Sequence, residues 1–424
     1  MILHQHSDLV LAFARILFVN GQSTGRIVAA VEQLAQILRF RVEIVPRWGE
    51  LHIQARDDDR LFSRVATPSG VNMQRVAAAT RTIGDVQAGQ LAPDSAVSEL
   101  NAIEKAPLHP TWLFTLAATA GAVALAVIFG VEHLASAGLI LLSAAAGAVV
   151  RRALAQWTTN AFAPPFCAAL LAGIIGGIAV RCDLSSSLRL VAVCPCLVLV
   201  PGPHLLNSAS DLINGRIHLG AARLLYALLV VVAITTGLLL GLAMLHVSLP
   251  VDPIGRVVPL WQDMLAAAVA VFAFSVFFTM PLRMLGWPMA VGMLAHALHW
   301  LAIAVLGMGV AGAAFAACFV AGAILTPVSQ RQHMPFAAIG FASVVSLMPG
   351  VYIFRMAGGL VQIAGASFTT PAPLSAIIWN GMTALMIILA MSLGLIAPKM
   401  LIESFQGKRQ RIRSPQTKES ADAR

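Results

Sequence analysis

Between Thr111 and Pro398 the sequence carries only five carboxylates, Glu132, Asp183, Asp211, Asp252 and Asp263, in a stretch otherwise dominated by apolar residues. Ionisable groups at membrane depth are costly and are candidates for chemistry by default. Asp211 stands out because it follows the break Pro201-Gly202 by nine residues. A helix continuing past Gly202 places Asn207 and Asp211 at i, i+4 on one face, with His204 three residues before Asn207. A carboxylate there accepts a substrate ammonium group or a proton. The plainer alternative is a carboxylate at the inner end of a span, solvated or paired with Arg216 or Arg223. About 150 residues later the break returns: Leu347–Gly359 (LMPGVYIFRMAGG) aligns with Leu199–Asp211 (LVPGPHLLNSASD). Pro349 then pairs with Pro201, Gly350 with Gly202, Tyr352 with His204 and Arg355 with Asn207. Arg355 has the fork to bind a carboxylate bidentately, or snorkels to the outer interface. His296 and His299 are i, i+3 neighbours that relay protons or pack as hydrogen-bonded residues. Glu132 and Asp263 are expected at span edges, facing water. The candidate substrate- and ion-binding set is Pro201, Gly202, His204, Asn207, Asp211, Pro349, Gly350, Tyr352 and Arg355, with no catalytic residue, metal ligand or cofactor.

Paired Gly/Pro breaks in two halves of a membrane protein point to a substrate site near the bilayer midplane, because interrupted backbone frees polar groups for a ligand. The alternative is two ordinary helix kinks, which membrane helices tolerate. If both breaks open around one site, His204 and Tyr352 face the same cavity. The duplication extends upstream, where FCAALLAG from Phe166 resembles FAACFVAG from Phe315. Apolar runs long enough to span about 30 Å of hydrocarbon are read at 112–130, 134–150, 161–180, 188–206 and 219–245, then at 261–280, 286–306, 309–328, 335–354 and 374–396. Five spans per copy is an odd number, so the second copy must lie upside down relative to the first. Arg151, Arg152, Arg216, Arg283, Arg331 and the basic tail then fall inside, placing both termini in the cytoplasm.

Hydrophobic residues make up 58% of the chain and charged ones 11%, far from the roughly 25% charged of an average soluble domain. The expected fold is a polytopic α-helical membrane protein of about ten transmembrane helices as two inverted five-helix repeats, with a small N-terminal soluble α/β domain. The divisions are 1–110 for that domain, 111–250 and 251–398 for the repeats, and 399–424 for a basic, disordered cytoplasmic tail. Residues 1–110 read as two helices, the second capped by Ser23, then short strands around the Asp57-Asp58-Asp59 turn, then two further helices. They balance to zero charge, so the net +9 lies in membrane loops and the tail and carries no nucleic-acid meaning. The five cysteines show no metal-ligand spacing. The amphipathic first residues lead to the expectation of no cleavable signal, residues 1–110 show no hydrolase elbow or phosphate loop, and without an ATP-binding motif an ion gradient is the expected energy source.

The opening NGQSTGRIVAAVEQLAQILRF, VNMQR at Val71–Arg75, VPGPHLLNSASDLINGRIHLGAARL at Val200–Leu224 and QRQHMPFAAIGFASVVSLMPGVYIF from Gln330 together resemble the threonine/serine exporter family of bacterial membrane proteins. The resemblance covers nearly the whole chain. It implies a hydrophilic N-terminal domain, ten spans in two related halves, and proton-linked export of threonine and serine from the inner membrane. By motif it implies roles for Pro201, Gly202, Asn207, Asp211, Gly215 and Arg223 in the first half, and for Pro349, Gly350 and Tyr352 in the second. FGVEH at Phe129–His133 departs from the Gly-Gly turn of relatives. The partners expected are a small-molecule substrate, a proton and membrane lipid, with a homo-oligomer left open and no nucleic acid. Dicarboxylate export is the nearest rival, since some relatives export dicarboxylates and Arg355 also suits an anion. A membrane-embedded enzyme using Asp211 and the histidines is the rival of another class.

Overall fold

The computed structural model describes residues 2–39, 42–55, 60–68, 70–131, 133–182, 184, 188–247, 258–365 and 372–413. Glu132, Asp183, Asp252, the Asp57–Asp59 turn and the chain from 414 onward lie outside the described residues.

The N-terminal hundred residues build around α1 (Ile2–Val19), whose Leu9, Val10, Phe13, Leu17 and Phe18 are all buried. Against it lie α2 (Thr24–Ile37), α3 (Met73–Gln87) and α4 (Pro93–Lys105). Strands β1 (Val42–Arg47), β2 (Gly49–Ala55) and β3 (Leu61–Ala66) pair antiparallel in that order, with Ile44 opposite Ile53 and Ile53 opposite Phe62. Alternation places Val42, Ile44, Leu51, Ile53 and Ala55 on the face that joins the helices in one core. Ser23 occupies the cap position of α2, but its side chain makes no capping bond; Thr24 faces the membrane helices instead.

Among the described residues, eight helices are long and apolar enough to cross a membrane. They are α5 (Thr111–Ile128), α6 (Leu134–Trp157) and α7 (Ala163–Arg181), then, beyond the next two helices, α10 (Ile217–Ala243), α11 (Leu260–Phe277), α12 (Gly286–Ala304) and α13 (Val310–Arg331), and finally α16 (Ala372–Arg413). Large apolar side chains stay exposed along them, such as Leu225, Leu228 and Val232 on α10. On a water-soluble surface that much contiguous apolar area would be a liability, whereas lipid solvates it. The chain is a polytopic helical membrane protein.

Two expected spans are not single helices. Around the first break, α8 (Leu188–Leu197) meets α9 (Gly202–Ile213) at 54°. Around the second, α14 (Phe336–Val344) runs through a 3-10 turn at Val345–Leu347 and meets α15 (Gly350–Gly365) at 65°. Each bend falls at the Pro-Gly pair, where proline lacks an amide donor and glycine removes the side chain. Counting each bent pair as one span gives ten. Two further boundaries differ from expectation. Arg151 and Arg152 belong to the last turns of α6 rather than to a loop, Arg151 stacking on Phe114 and Phe277. The tail is helical as far as Arg413, because α16 continues through the apolar Met400, Leu401 and Ile402 before its basic end.

The packing order of the first half recurs in the second. α5 packs on α6, α6 on α7 and α7 on α10, while α11 packs on α12, α12 on α13 and α13 on α16. α5 also packs against α11, and the bent segments cross over, α14 against α9 and α15 against α8. The recurrence reaches single atoms. A Cβ on Gly173 would meet the Leu238 carbonyl oxygen at 2.4 Å, and one on Gly237 the Phe166 oxygen at 2.4 Å. In the second half, Gly322 stands to the Leu395 oxygen, and Gly394 to the Phe315 oxygen, at 2.7 Å each. Helices associate this closely only through small residues, since no aqueous hydrophobic effect drives them together.

Candidate functional site

The residues after the two breaks line two separate cavities. The first, of about 410 Å³, is walled by Pro201, Pro203 and His204 from the break, by Tyr226 and Arg151, and by Gly70 and Val71 from the N-terminal segment. The second, of about 930 Å³, is walled by Pro349, Tyr352 and Arg355, by Asp263, His296 and His299, and by Ser346, Trp379 and Asn380. His204 and Tyr352 therefore do not share a cavity, contrary to expectation. α11 explains the separation: Asp263 near its start faces the second cavity, while Phe274 and Phe277 near its end face the first. Fourteen helical residues span about 21 Å. The breaks themselves are the partition. A Cβ on Gly202 would fall inside the Phe341 ring of α14, 1.7 Å from its nearest atom, and one on Gly350 would fall 2.0 Å from Leu197 of α8.

Each cavity has an aromatic pair at the same offset from its break. His204 meets Tyr226 edge-on with ring centroids 5.1 Å apart, and Tyr352 meets Trp379 edge-on at 6.0 Å. Tyr226 also touches Trp48, from the tip of the β1–β2 hairpin, at 5.1 Å. The chain holds two tyrosines in all, one on each cavity. That scarcity was the sequence signal for Tyr226, which the residue pattern alone had not singled out.

Asp211 lines neither cavity. It is 1% exposed, and its Oδ2 lies 2.7 Å from Arg223 Nη1, accepts a hydrogen bond of 3.1 Å from Thr24 Oγ1, and has Arg216 on the other oxygen at 3.7 Å. Gly215, at φ +75°, ends α9 in the left-handed conformation, so the Arg216 amide donates back to the Asp211 carbonyl at 2.8 Å. Asn207 Nδ2 donates to the Gly21 carbonyl at 3.1 Å. The turn NGQST at the end of α1 thus docks onto α9, and Asp211 and Asn207 form the joint between the N-terminal segment and the first bent span. Buried pairs of this kind tolerate loss of one partner poorly, because the other is left as an uncompensated charge.

The second cavity has the more reactive wall. Asp263 is 9% exposed instead of facing water, because His296 reaches it from α12: His296 Nδ1 lies 2.8 Å from Asp263 Oδ2. His296 Nε2 is hydrogen-bonded to Ser346 Oγ in the 3-10 turn before the break. A neutral His296 donates one bond to Asp263 and accepts one from Ser346, whereas a protonated His296 donates both once the Ser346 hydroxyl turns away, so the same heavy-atom positions accommodate either state. Sequence pattern paired His296 with His299; the partner that matters lies 33 residues upstream on another helix. Asn380 Nδ2 donates to the Ala376 carbonyl, while its Oδ1 receives no hydrogen bond among the described residues. An orphaned buried acceptor on a cavity wall is a place for a ligand donor. No group of three or more histidines, cysteines or carboxylates suited to a metal occurs among the described residues.

Over residues 8–245 the chain matches the family described as "Putative threonine/serine exporter", and over residues 263–401 the family described as "Threonine/Serine exporter, ThrE". A curated relative from Mycobacterium tuberculosis, "Probable threonine/serine exporter", is 25% identical over 400 residues, covering 86% of this chain and 74% of its own length. No solved structure matches.

Proposed function

The chain belongs to the threonine/serine exporter family, and on that premise we propose that it is a secondary active transporter that exports small hydrophilic amino acids in exchange for protons. The observation that carries the proposal is the second cavity. It places Arg355, Asn380 and the Asp263–His296–Ser346 chain around one space of about 930 Å³ beside an interrupted helix. Arg355 takes the substrate carboxylate bidentately. The Asp263 side of the cavity takes the ammonium group, and Asn380 Oδ1 accepts a hydrogen bond from the hydroxyl of threonine or serine. Protonation of the His296–Asp263 pair competes with ammonium binding, because the pair loses its net negative charge. Substrate and proton then occupy the site alternately, as antiport requires. A Ser–His–Asp order also occurs in hydrolases, but the family and its relative are transporters rather than enzymes.

The site residues are proposed in two roles. Tyr352, Arg355, Pro349 and Gly350 line or shape the substrate cavity; Pro201, Gly202 and His204 shape the opposite one, through which substrate reaches the site from inside. Asn207 and Asp211 serve the joint with the N-terminal segment. Two inverted halves, 111–250 and 251–398, support alternating access by rocking about the Gly202–Phe341 and Gly350–Leu197 contacts. The recurrent packing order, the matched glycine contacts, and the two family matches that meet between residues 245 and 263 support that division. With residues 1–110 and the basic tail in the cytoplasm of a bacterium, the second cavity lies on the outer side of the inner membrane.

Dicarboxylate export is less favoured, since Arg355 is the one permanent cation on this cavity among the described residues and Asp263 opposes a second carboxylate. Counterflow in proteoliposomes separates the two. Labelled threonine and serine are expected to enter vesicles preloaded with the unlabelled amino acid, and succinate is not. Succinate counterflow without threonine counterflow would reverse the assignment.

A further inference from the structure

A third cavity, of about 870 Å³, lies at the junction between the N-terminal segment and the membrane helices and is used by neither half of the transport mechanism. α2 and α3 form one wall with Arg26, Arg81 and Asp85; Arg216, just past the end of α9, and Lys399 and Glu403 of α16 form the other. Among the described residues, four permanent cations face two carboxylates across it, an excess of two positive charges. Lys399 is 7% exposed and forms no hydrogen bond or ion pair among the described residues; its ammonium rests over the Phe336 ring at 5.3 Å. A cation on a largely buried side chain is costly unless anions offset it, and the nearby Glu403 and Asp211 carboxylates act on Lys399 through space without bonding it. Arg26 is also in surroundings that disfavour its charge, burial pushing its guanidinium below the ordinary value while Glu403 pushes it back.

We propose that this junction cavity binds a compact dianion of the phosphate monoester class, held by Lys399 and Arg216 from the membrane side and by Arg26 and Arg81 from the N-terminal side. Two negative charges match the excess of the lining, whereas an amino-acid zwitterion brings none. A phosphate monoester carries close to two charges near neutral pH and offers three acceptor oxygens, enough to engage cations on both walls. The volume lies within the usual range for small-molecule sites. Occupancy ties α2 and α3 to the inner ends of α9 and α16, beside the Asp211–Arg223 joint, and so braces the N-terminal segment against the first bent span. The ligand group is shared by water-soluble phosphate monoesters and by the headgroup of phosphatidic acid.

The test uses the full chain in nanodiscs. Inorganic phosphate is titrated into protein held in uncharged lipid at constant ionic strength, with thermal unfolding and calorimetry as readouts, and a parallel set contains phosphatidic acid. Saturable phosphate binding is expected in the wild type, weakened roughly ten- to a hundredfold in Lys399→Gln and in Arg26→Gln, the size of one lost charged hydrogen bond, and retained in Lys399→Arg. Binding of phosphate identifies a soluble ligand; stabilisation by phosphatidic acid alone, lost in the same variants, identifies the lipid. Arg26 lies outside the spans, so its variant remains informative if Lys399→Gln fails to fold. No saturable response to either source, or an equal response in wild type and variants, overturns the proposal. The readout is binding, so the result stands apart from the outcome of the transport assay.

Discussion

Asp211 and Asp263 illustrate how a carboxylate in an apolar chain takes its role from what reaches it. Both were visible in the sequence as rare charges, Asp211 read as a substrate group or a partner of Arg216 or Arg223 and Asp263 as a solvated edge residue; Asp211 is held in a buried ion pair, and Asp263 lines a cavity against His296. The reason is long-range pairing. Thr24, which bonds Asp211, lies 187 residues away from it, and no local period announces such a contact. The alternative of pairing with Arg223 or Arg216 was legible, because both follow within twelve residues on the adjoining helix. Asp211→Asn is expected to cost about 3–5 kcal/mol of stability by leaving Arg223 buried and unbalanced. Asp211→Asn with Arg223→Gln should cost clearly less than the sum of the two single changes, a coupling that a double-mutant cycle on thermal unfolding in detergent measures directly. Additive losses would show that the pair is not a unit.

At the scale of helices, the paired breaks and the FCAALLAG/FAACFVAG repeat were readable because small residues and Pro-Gly pairs leave a mark in sequence. What they contact was not readable. Gly237 and Gly394 belong to helices with no obvious sequence likeness, yet each abuts the carbonyl of the phenylalanine that opens its repeat. The bend at each break also carries the chain past the end expected from hydropathy, since α9 runs polar to Ile213 once it leaves the axis of α8. Gly202 tests whether the crossing of the bent spans is packed as described. Gly202→Ala places a methyl group inside the Phe341 ring and should lower stability by about 1–3 kcal/mol through overpacking. Phe341→Ala carries its own cavity cost, so the comparison is made within that background, where adding Gly202→Ala should lower folded yield by size-exclusion chromatography far less than it does in the wild type. An equal loss in both backgrounds would place the strain elsewhere.

For the whole molecule, hydropathy and the count of spans made a polytopic helical protein legible at once, whereas the two cavities on opposite sides of a partition required coordinates. The sidedness follows from chain direction: the amides of Met73 and Gln74 bond to the carbonyls of Phe278 and Thr279 at the end of α11, so the N-terminal segment and the smaller cavity share one side. Cysteines replacing Thr159 and His333 are expected to react with an impermeant maleimide only from the cytoplasmic side, and those replacing His133 and Gly309 only from outside. Mixed labelling would break the inverted arrangement of halves. The central claim is that the cavity holding Asp263 and His296 exchanges amino acid for proton, and gradient-driven uptake measures it most directly. Proteoliposomes acidified inside should accumulate labelled threonine or serine from the medium when the pH gradient is imposed, as protons leave. Asp263→Asn should abolish that accumulation and leave threonine counterflow only at raised substrate concentration, because the carboxylate that takes the ammonium group and shares the proton with His296 is gone. Equal accumulation by wild type and Asp263→Asn, or by wild type with and without the gradient, would contradict the account.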